Sequence, residues 1–269
     1  LPISIERAAE AALHAAADDA TRAALGLRAV EIADALAFMA PALPASAIVA
    51  NRCIGLGLAT PPSPATVAEI VHAYRAAAVA RFFLHVHPDV ASDRLATWLA
   101  DAGLVPARGW QKFSRAAAAD AALPPVARDV GVREIGAGEG ETFARIVTDA
   151  FDMGAAAVPW LARLPAAAGW RAFLAEIDGV PAGAGALFVQ GAAAWTDFGA
   201  TVPAHRGRGV QRACLVHRVR TALESGCRRL YSCTGAAVPG DPQHSYANIL
   251  RCGFREDDVR ANWAPAPPA

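Results

Sequence analysis

Residues 201–215 read TVPAHRGRGVQRACL, and this stretch decides how the rest of the chain is interpreted. An apolar run at residues 193–200 comes directly before it, and a long amphipathic segment follows it as far as Gly226. Apolar runs bounded by turn residues favour strands, whereas helical periodicity after a glycine favours a helix. The stretch therefore predicts a strand, a basic loop that contains two glycines, and a helix.

The predicted loop has the residues of a phosphate-binding site. Gly207 and Gly209 tolerate backbone angles that other residues resist, and they let amide groups come close to a ligand. The helix that follows begins with unpaired amides and the positive end of its dipole, both of which attract phosphate oxygens. Three arginines add positive charge at this point: Arg206, Arg208 and Arg212. A tight connection between strand and helix is the alternative for two glycines taken alone.

The order of strand, Pro203, RGRG and helix resembles the acyl-CoA loop of the GNAT superfamily of N-acetyltransferases. The family pattern is Arg or Gln, two residues, Gly, one residue, and Gly or Ala. Arg206 and Gly209 fill the first two positions, and Gln211 stands where the family has Gly or Ala. The resemblance implies that acetyl-CoA is the co-substrate and that the amides of residues 207–211 hold its pyrophosphate.

The composition argues against highly charged partners. The chain has 269 residues with 25 basic and 25 acidic side chains, so no net field attracts nucleic acid or an anionic membrane. Its five cysteines are scattered without CxxC spacing, which favours reduced thiols. The uncharged stretch at residues 35–50 is too short to span a bilayer and is interrupted by two prolines. We therefore expect a cytoplasmic protein without a leader peptide, without nucleic-acid or membrane partners, and present as a monomer or homodimer.

Local signals divide the chain into two parts. The alanine-rich sequence from Ser4 to about Met39 has apolar residues at helical spacing, and Gly26 interrupts it, so two helices are predicted. The low-complexity run at residues 116–127 contains a proline pair and is predicted to be a linker. It separates an expected first domain at residues 1–120 from a second at residues 128–264.

The second part has the element order of the GNAT fold. Residues 130–263 are predicted to form a strand, two helices, three antiparallel strands, a helix, a strand, a helix and a strand. Asp178-Gly179 is a strong hairpin signal within this order. The closing sequence SYANILRCGF, at residues 245–254, resembles the family's last helix and its Gly-Phe strand. Two separated motifs thus support the same resemblance.

The first part resembles a degenerate second copy of the same fold. Gly103-Leu104 stands where Gly253-Phe254 stands in the later part. The counterpart of the phosphate loop is ATPPSP, at residues 59–64, which has no arginine and whose three prolines have no amide hydrogen to donate. The predicted fold class is α/β (α+β), with two tandem GNAT-like domains that each have a mixed, mostly antiparallel sheet flanked by helices.

The resemblance also implies which residues bind acetyl-CoA. In GNAT-like proteins the fourth strand separates from the fifth at a bulge, and the backbone at the end of the fourth strand faces the thioester. The residues that this assigns to acetyl-CoA are Ala200, Thr201, Val202, Arg206, Gly207, Arg208, Gly209, Val210 and Gln211, with Ser245 and Asn248 of the closing helix. No metal is expected.

Two residues are candidates for proton transfer. Asp197 is the only ionisable side chain of the strand at residues 193–202, where GNAT-like enzymes often have a carboxylate that takes the amine proton. A purely structural role is the alternative for this aspartate. The family's leaving-group acid is a tyrosine, but that position is Ile249 here, so Tyr246 is the possible substitute.

Two other motifs suggest different chemistry. The sequence VREIGAGEGE at residues 132–141 matches the glycine-rich loop of S-adenosylmethionine methyltransferases, but no acidic strand end follows at the distance that a ribose site needs. A glycine-rich turn into a helix explains it better. His85 and His87 have a spacing found in metal sites, but only Asp89 lies near them as a third ligand.

These observations predict an acetyl-CoA-dependent N-acetyltransferase. Its acceptor is expected to be a primary amine of a small molecule or peptide, which attacks acetyl-CoA directly in a ternary complex. The alternative is a non-catalytic acyl-CoA-binding or regulatory protein. The sequence leaves open both the acceptor and the contribution of the first domain to its pocket.

Overall fold

The chain forms a mixed, mostly antiparallel sheet flanked by helices, as predicted, but the sheets expected for the two domains are joined into one. The computed structural model describes residues 2–117 and 122–266. The helices in these residues are α1 Pro2–Ala15, α2 Asp19–Leu25, α3 Pro64–Ala76, α4 Asp93–Asp101, α5 Gly140–Ala150, α6 Val158–Leu161, α7 Val210–Glu224 and α8 His244–Arg251. The strands are β1 Arg28–Ile32, β2 Ala35–Met39, β3 Arg52–Ile54, β4 Phe83–Val86, β5 Leu104–Ala116, β6 Val130–Ile135, β7 Trp170–Ile177, β8 Val180–Gln190, β9 Ala193–Thr201, β10 Arg229–Gly235 and β11 Arg255–Pro265.

The two halves of the chain repeat the same unit of strand, helix, strand, helix, strand. This unit is β3–α3–β4–α4–β5 in the first half and β9–α7–β10–α8–β11 in the second. In both halves the two strands that flank the first helix of the unit are parallel. The repeat that the sequence suggested is therefore present in the topology.

The last strands of the two units have changed places. The sheet order is β1-β2-β3-β4-β11-β5-β10-β9-β8-β7-β6, in one continuous sheet of eleven strands. The final strand β11 pairs with β4 of the first half, whereas β5 of the first half pairs with β10 of the second. The exchange joins the halves by backbone hydrogen bonds, and the division into domains at residues 1–120 and 128–264 stays a prediction.

Helix α1 packs into the core of the second half. Ile5, Ala9 and Leu13 are buried in one cluster with apolar side chains of α5, α6 and β7. The indole Nε1 of Trp160 donates to the carbonyl of Leu13 at 2.9 Å, and that of Trp170 donates to the carbonyl of Ala9 at 3.1 Å. Each fully buried aliphatic side chain contributes roughly 1.5–3 kcal/mol, so this helix stabilises the half to which it does not belong in sequence.

The prediction of two helices between residues 4 and 39 is wrong for its second part. Residues 28–39 form the hairpin β1–β2, because Gly26 adopts φ +64° and ends α2 with a left-handed cap. Ala33, at φ +51°, makes the turn of the hairpin. An alanine-rich run has no hydrophobic periodicity that distinguishes a helix from a strand. Hydrogen bonding of β2 to β3 fixes this segment as a strand.

Other local signals are confirmed. The hydroxyl of Ser63 caps α3 and Pro64 is its first residue, while Asp178-Gly179 turns the hairpin β7–β8. The predicted linker at residues 116–127 lies partly outside the described residues, because residues 118–121 are not among them.

Candidate active site

A large cleft opens where β9 and β10 separate. The two strands are paired in parallel up to Thr196 and Ser232. Beyond that point β9 has a bulge, where Phe198 adopts φ +51°, and β10 continues in partnership with β5 alone. The cleft between them has a volume of about 910 Å³. The separation leaves the backbone of the end of β9 free on the side that faces the cleft.

The loop at one end of the cleft presents unpaired amides. Gly207 and Gly209 adopt φ +78° and +81°, and the first amide of α7 with a backbone acceptor is that of Ala213, which donates to Gly209 at 2.9 Å. Among the described residues, the amides of residues 207–212 donate no hydrogen bond to backbone or side chain. An imagined Cβ on Gly207 would meet no atom within 4 Å, so the space over the loop is open. The arrangement fits a phosphate group.

The arginines of this loop line the cleft. Arg206, Arg208 and Arg212 all face it, and Arg208 forms an ion pair with Asp129 at 2.7 Å. The Nε atom of Arg212 is buried and has no partner among the described residues. Positive charge therefore surrounds the free amides.

Gln211, the residue that departs from the family pattern, joins the two helices beside the loop. Its Nε2 donates to the hydroxyl of Ser245 at 2.7 Å, and its Oε1 accepts from Nδ2 of Asn248 at 2.8 Å. Ser245 and Asn248 belong to α8, so the three side chains hold α8 against the start of α7. All three line the cleft.

The predicted thioester edge lies on the wall of the cleft. Ala200 and Thr201 line it and are paired on their other side with β8. The amide of Val202 donates to the carbonyl of Ala182 at 2.9 Å, and Val202 is not among the residues that line the cleft. Val210, which was grouped with the loop, lines the cleft at the first position of α7.

Asp197 is the first residue of β9 beyond the last pair with β10. Its carboxylate accepts a hydrogen bond from the indole of Trp195 at 2.9 Å and another from the amide of Phe198 at 2.8 Å. The side chain is half-buried and lines the cleft. Each carboxylate oxygen has a second lone pair, so these two bonds leave acceptor capacity for a proton or a water.

Tyr246 lies apart from Asp197, in a smaller neighbouring cavity of about 330 Å³. Its hydroxyl donates to the Oε1 atom of Glu256 at 2.6 Å. Burial and this hydrogen bond to a carboxylate raise the pKa of Tyr246 to about 12. Ile249, at the position of the family's tyrosine, lines the main cleft with an apolar side chain.

Comparisons with known proteins agree with this geometry. The model of the acetyltransferase (GNAT) family matches residues 143–254. Residues 143–254 are a GNAT acetyltransferase domain. No curated protein sequence matches the chain significantly.

Solved structures extend the similarity to most of the chain. A GCN5-related N-acetyltransferase from Kribbella flavida has 18% sequence identity and a TM-score of 0.61, over 93% of this chain and 96% of that one. A GCN5-related N-acetyltransferase from Sphaerobacter thermophilus has 15% identity and a TM-score of 0.62, over 88% and 82% of the two chains. A tandem GNAT protein from the clavulanic acid biosynthesis pathway has 18% identity and a TM-score of 0.52, over 81% and 76%. These likenesses confirm the predicted tandem GNAT fold.

The structure adds residues of the first half that the sequence analysis did not assign to the site. Arg52, at the start of β3, lines the cleft of the GNAT domain, and Nη2 of its guanidinium donates to the carboxylate of Glu10 in α1. Glu6, Glu10 and His14 follow one another at intervals of four in α1, and all are buried. This spacing of polar residues on one face of a mostly apolar helix was the available signal.

The α1 side chains form a buried charged cluster with the strands beneath them. Glu6 pairs with Nζ of Lys112 on β5 at 2.7 Å. Burial acts to raise the pKa of Glu6, but the surrounding cations, Lys112 foremost, lower it overall to about 2. Burial raises the pKa of Glu10 to about 7 against the opposing effect of Arg52. Burial lowers the pKa of His14 to about 3.

The alternative motifs have other partners. Glu134 forms an ion pair with Arg171, and a Cβ on Gly140 would overlap the carbonyl oxygen of Ala162, so the glycine-rich turn serves helix packing. His85 is buried, and His87 contacts the carboxylate of Asp258 at 3.2 Å. Within residues 2–117 and 122–266, no cluster of three or more His, Cys, Asp or Glu side chains is arranged to hold a metal. In the same residues no helix has the length and apolar character to cross a bilayer.

Proposed function

We propose that the GNAT domain transfers an acetyl group from acetyl-CoA to a primary amine of a small molecule or peptide. The family and the fold suggest acyl transfer from an acyl-CoA. The observation that carries the proposal is the cleft at the separated strands, which joins the loop of free amides at residues 207–212 to the open backbone edge at Ala200 and Thr201. A single extended ligand with a pyrophosphate and an acyl group suits both ends.

The roles of the chain's own residues follow from this placement. The amides of residues 207–211 bind the pyrophosphate, with Arg206 and Arg208 adding charge and Ser245 and Asn248 holding α8 in place. Acetyl-CoA supplies the activated acyl group when it is bound. Acyl transfer then depends on positioning and on removal of a proton from the amine. In this proposal Asp197 takes that proton, directly or through a water.

Asp197→Asn tests the proposed base. We expect turnover to fall roughly a hundredfold, within the range for loss of a general base, while the affinity for CoA stays unchanged. The loss should shrink as pH rises, because more of the amine is then already neutral. Trp195→Phe is the control, since it removes a hydrogen bond to Asp197 but keeps the carboxylate. Near-normal turnover of Asp197→Asn at neutral pH would make Asp197 structural.

The second candidate function is acyl-CoA binding without catalysis. It is favoured by Ile249 at the position of the family's tyrosine and by the engagement of the Tyr246 hydroxyl with Glu256. Release of free thiol from acetyl-CoA in the presence of a panel of amines separates the two functions. Calorimetry with CoA should give one site per chain, and binding without thiol release for any amine would favour the non-catalytic protein.

A further inference from the structure

Arg52 is a buried cation that faces the cleft and is incompletely bonded. Its residue surface is 5% exposed, yet it lines the cleft of the GNAT domain. The one hydrogen bond that its guanidinium makes among the described residues goes from Nη2 to Glu10. Its Nε has no partner there. A buried guanidinium with unused donors is costly unless an anion or acceptor completes it.

Arg52 lies at the point where the proposed reaction takes place. Its electrostatic partners include Asp197 of β9 and Cys233 of β10. These two residues are the first beyond the last parallel pair of their strands, Thr196 and Ser232. The guanidinium is therefore at the closed end of the separation, on the side of the cleft that the first half builds.

The cleft also has an anion beside this cation. Asp197 and Arg52 both line it, and the described contacts include no direct ion pair between them within 4.0 Å. The two oppositely charged side chains face the same cleft and do not form an ion pair with each other. A ligand that has both a positive and a negative group can therefore bind between them. Glu10 offsets the charge of Arg52 only in part, because burial raises the pKa of Glu10 to about 7.

The other arginines that line the cleft either lie at the phosphate loop or donate hydrogen bonds to backbone carbonyls. Arg206, Arg208 and Arg212 are at the phosphate loop. Arg218 donates from Nη1 to the carbonyl oxygens of Ala186 at 3.1 Å and Asp197 at 2.8 Å. A single guanidinium at the closed end suits a group with one negative charge, and its planar donors match a carboxylate.

We propose that the acceptor is a free amino acid, whose carboxylate binds Arg52 and whose amine faces Asp197. This inference rests on the proposed function, and it assigns the substrate class to the same cleft. It also gives the first half of the chain a direct part in the site, since Arg52 belongs to β3 and its partner Glu10 to α1. In the reaction Asp197 takes the first proton of the ammonium group, and the neutral amine nitrogen forms a bond to the acyl carbon. The carbon–sulfur bond then breaks, and the second amine proton passes through water to the sulfur, so that CoA leaves as the thiol.

The test compares free α-, β- and γ-amino acids with their carboxamides as acceptors in the thiol-release assay. The amide keeps the amine and the side chain and lacks only the negative charge. We expect kcat/KM for the best amino acid to exceed that of its amide by about tenfold or more, as charge-assisted bonds require. The ammonium group of an amino amide has a lower pKa than that of the amino acid, so more of the amide is present as the reactive neutral amine. This difference favours the amide, and a preference for the acid therefore cannot come from amine ionisation.

Three variants connect the preference to Arg52. The double variant Arg52→Gln with Glu10→Gln removes both charges of the pair together, which avoids an unpaired buried ion, and it should abolish the preference. Arg52→Lys keeps a cation and should retain part of it. Glu10→Gln alone leaves Arg52 in place and should keep the preference.

Calorimetry separates failure of this inference from failure of the proposed function. If no amine releases thiol, the same acids and amides are titrated into the full chain in the presence of CoA. Tighter binding of an amino acid than of its amide, lost in the double variant, would support the Arg52 site without catalysis. Equal binding or turnover of acid and amide, a preference that survives the double variant, or no binding of any amino acid would overturn it.

Discussion

The loops after β3 and β9 occupy equivalent places in the two halves. Amides of the loop after β3 are hydrogen-bonded to a carboxylate, whereas those of the loop after β9 are unpaired in the part of the chain that the structure describes. After β9, the amides of residues 207–212 have no acceptor among the described residues. After β3, the carboxylate of Asp34 accepts from the amides of Gly57, Ala59 and Thr60 at 3.0, 2.6 and 3.2 Å. Burial acts to raise the pKa of Asp34, but these amides lower it overall.

The difference shows that a strand, a loop and a helix do not by themselves make an anion site. In the first half, the carboxylate of Asp34 accepts hydrogen bonds from the amides of the loop. Pro61 and Pro62 have no amide hydrogen, so the loop lacks two further donors. The second half keeps its donors unpaired and places arginines around them. An anion site requires amides that nothing else in the fold uses.

Of the changes proposed for the two halves, removal of the first half should have the largest effect, which is on the folding of the second. A fragment of residues 128–269 lacks α1, which accepts the indole bonds of Trp160 and Trp170, and β5, which pairs with β10 and β11. We expect no cooperative thermal unfolding transition for it by circular dichroism. Co-expression of residues 1–127 should restore the transition. A fragment that unfolds cooperatively and binds CoA alone would show that the halves are independent.

His14 should make the buried charged cluster of α1 sensitive to acid. The pKa of His14 is about 3 in the folded chain against 6.5 for an exposed histidine, so the unfolded chain takes up a proton first as pH falls below 6.5. At pH 5 this proton uptake lowers the contribution of His14 to the free energy of unfolding by about 2 kcal/mol. Glu10 has a raised pKa, so its contribution to the free energy of unfolding rises by about 2 kcal/mol between pH 7 and pH 5 and nearly cancels that of His14 in the unmodified chain.

His14→Gln isolates the histidine contribution, since Glu10 is common to both proteins. Urea unfolding at pH 7 and pH 5 should show a change in the free energy of unfolding that is about 2 kcal/mol more favourable in the variant than in the unmodified chain. An equal change in both proteins would mean that His14 does not titrate differently on folding.

Gly209→Asp should close the open loop of the second half. It adds a negative charge at the phosphate site and a side chain at φ +81°, so we expect CoA affinity to fall tenfold or more, or roughly 1.4 kcal/mol. Gly226→Asp is the matched control, because Gly226 follows the other end of α7 at φ +80° with open space around it. Calorimetry should show normal CoA affinity for the control. Unchanged affinity in folded Gly209→Asp would place the phosphate elsewhere.

Asp34→Ala should open the closed loop of the first half, with the smallest effect. It removes the acceptor of three amides, two of them exposed, so we expect a loss of about 1 kcal/mol in the free energy of unfolding. CoA should still bind once per chain, because the proline-rich loop has too few donors. Asp34→Asn, which keeps one acceptor oxygen, should cost less. A second CoA site in Asp34→Ala would show that the carboxylate alone blocks binding.

The sequence by itself determined the elements whose signals are local. Gly207 and Gly209 predicted the open loop because positive φ and free helix-start amides are properties of a few adjacent residues. Asp178-Gly179 predicted its hairpin, and Ser63-Pro64 its helix start, for the same reason. The hairpin at residues 28–39 was missed because alanine favours neither period strongly, and pairing with a distant strand decided its conformation.

Only the tertiary structure decided the features that join residues far apart in the chain. Arg52 and Glu10 are 42 residues apart, Lys112 and Glu6 are 106 apart, and the exchange of β5 and β11 links the two halves. Hydrophobic periodicity indicates which face of an element is buried but not which partner covers it. The acceptor side of the cleft is built from such distant partners, whereas the phosphate loop is built from neighbours.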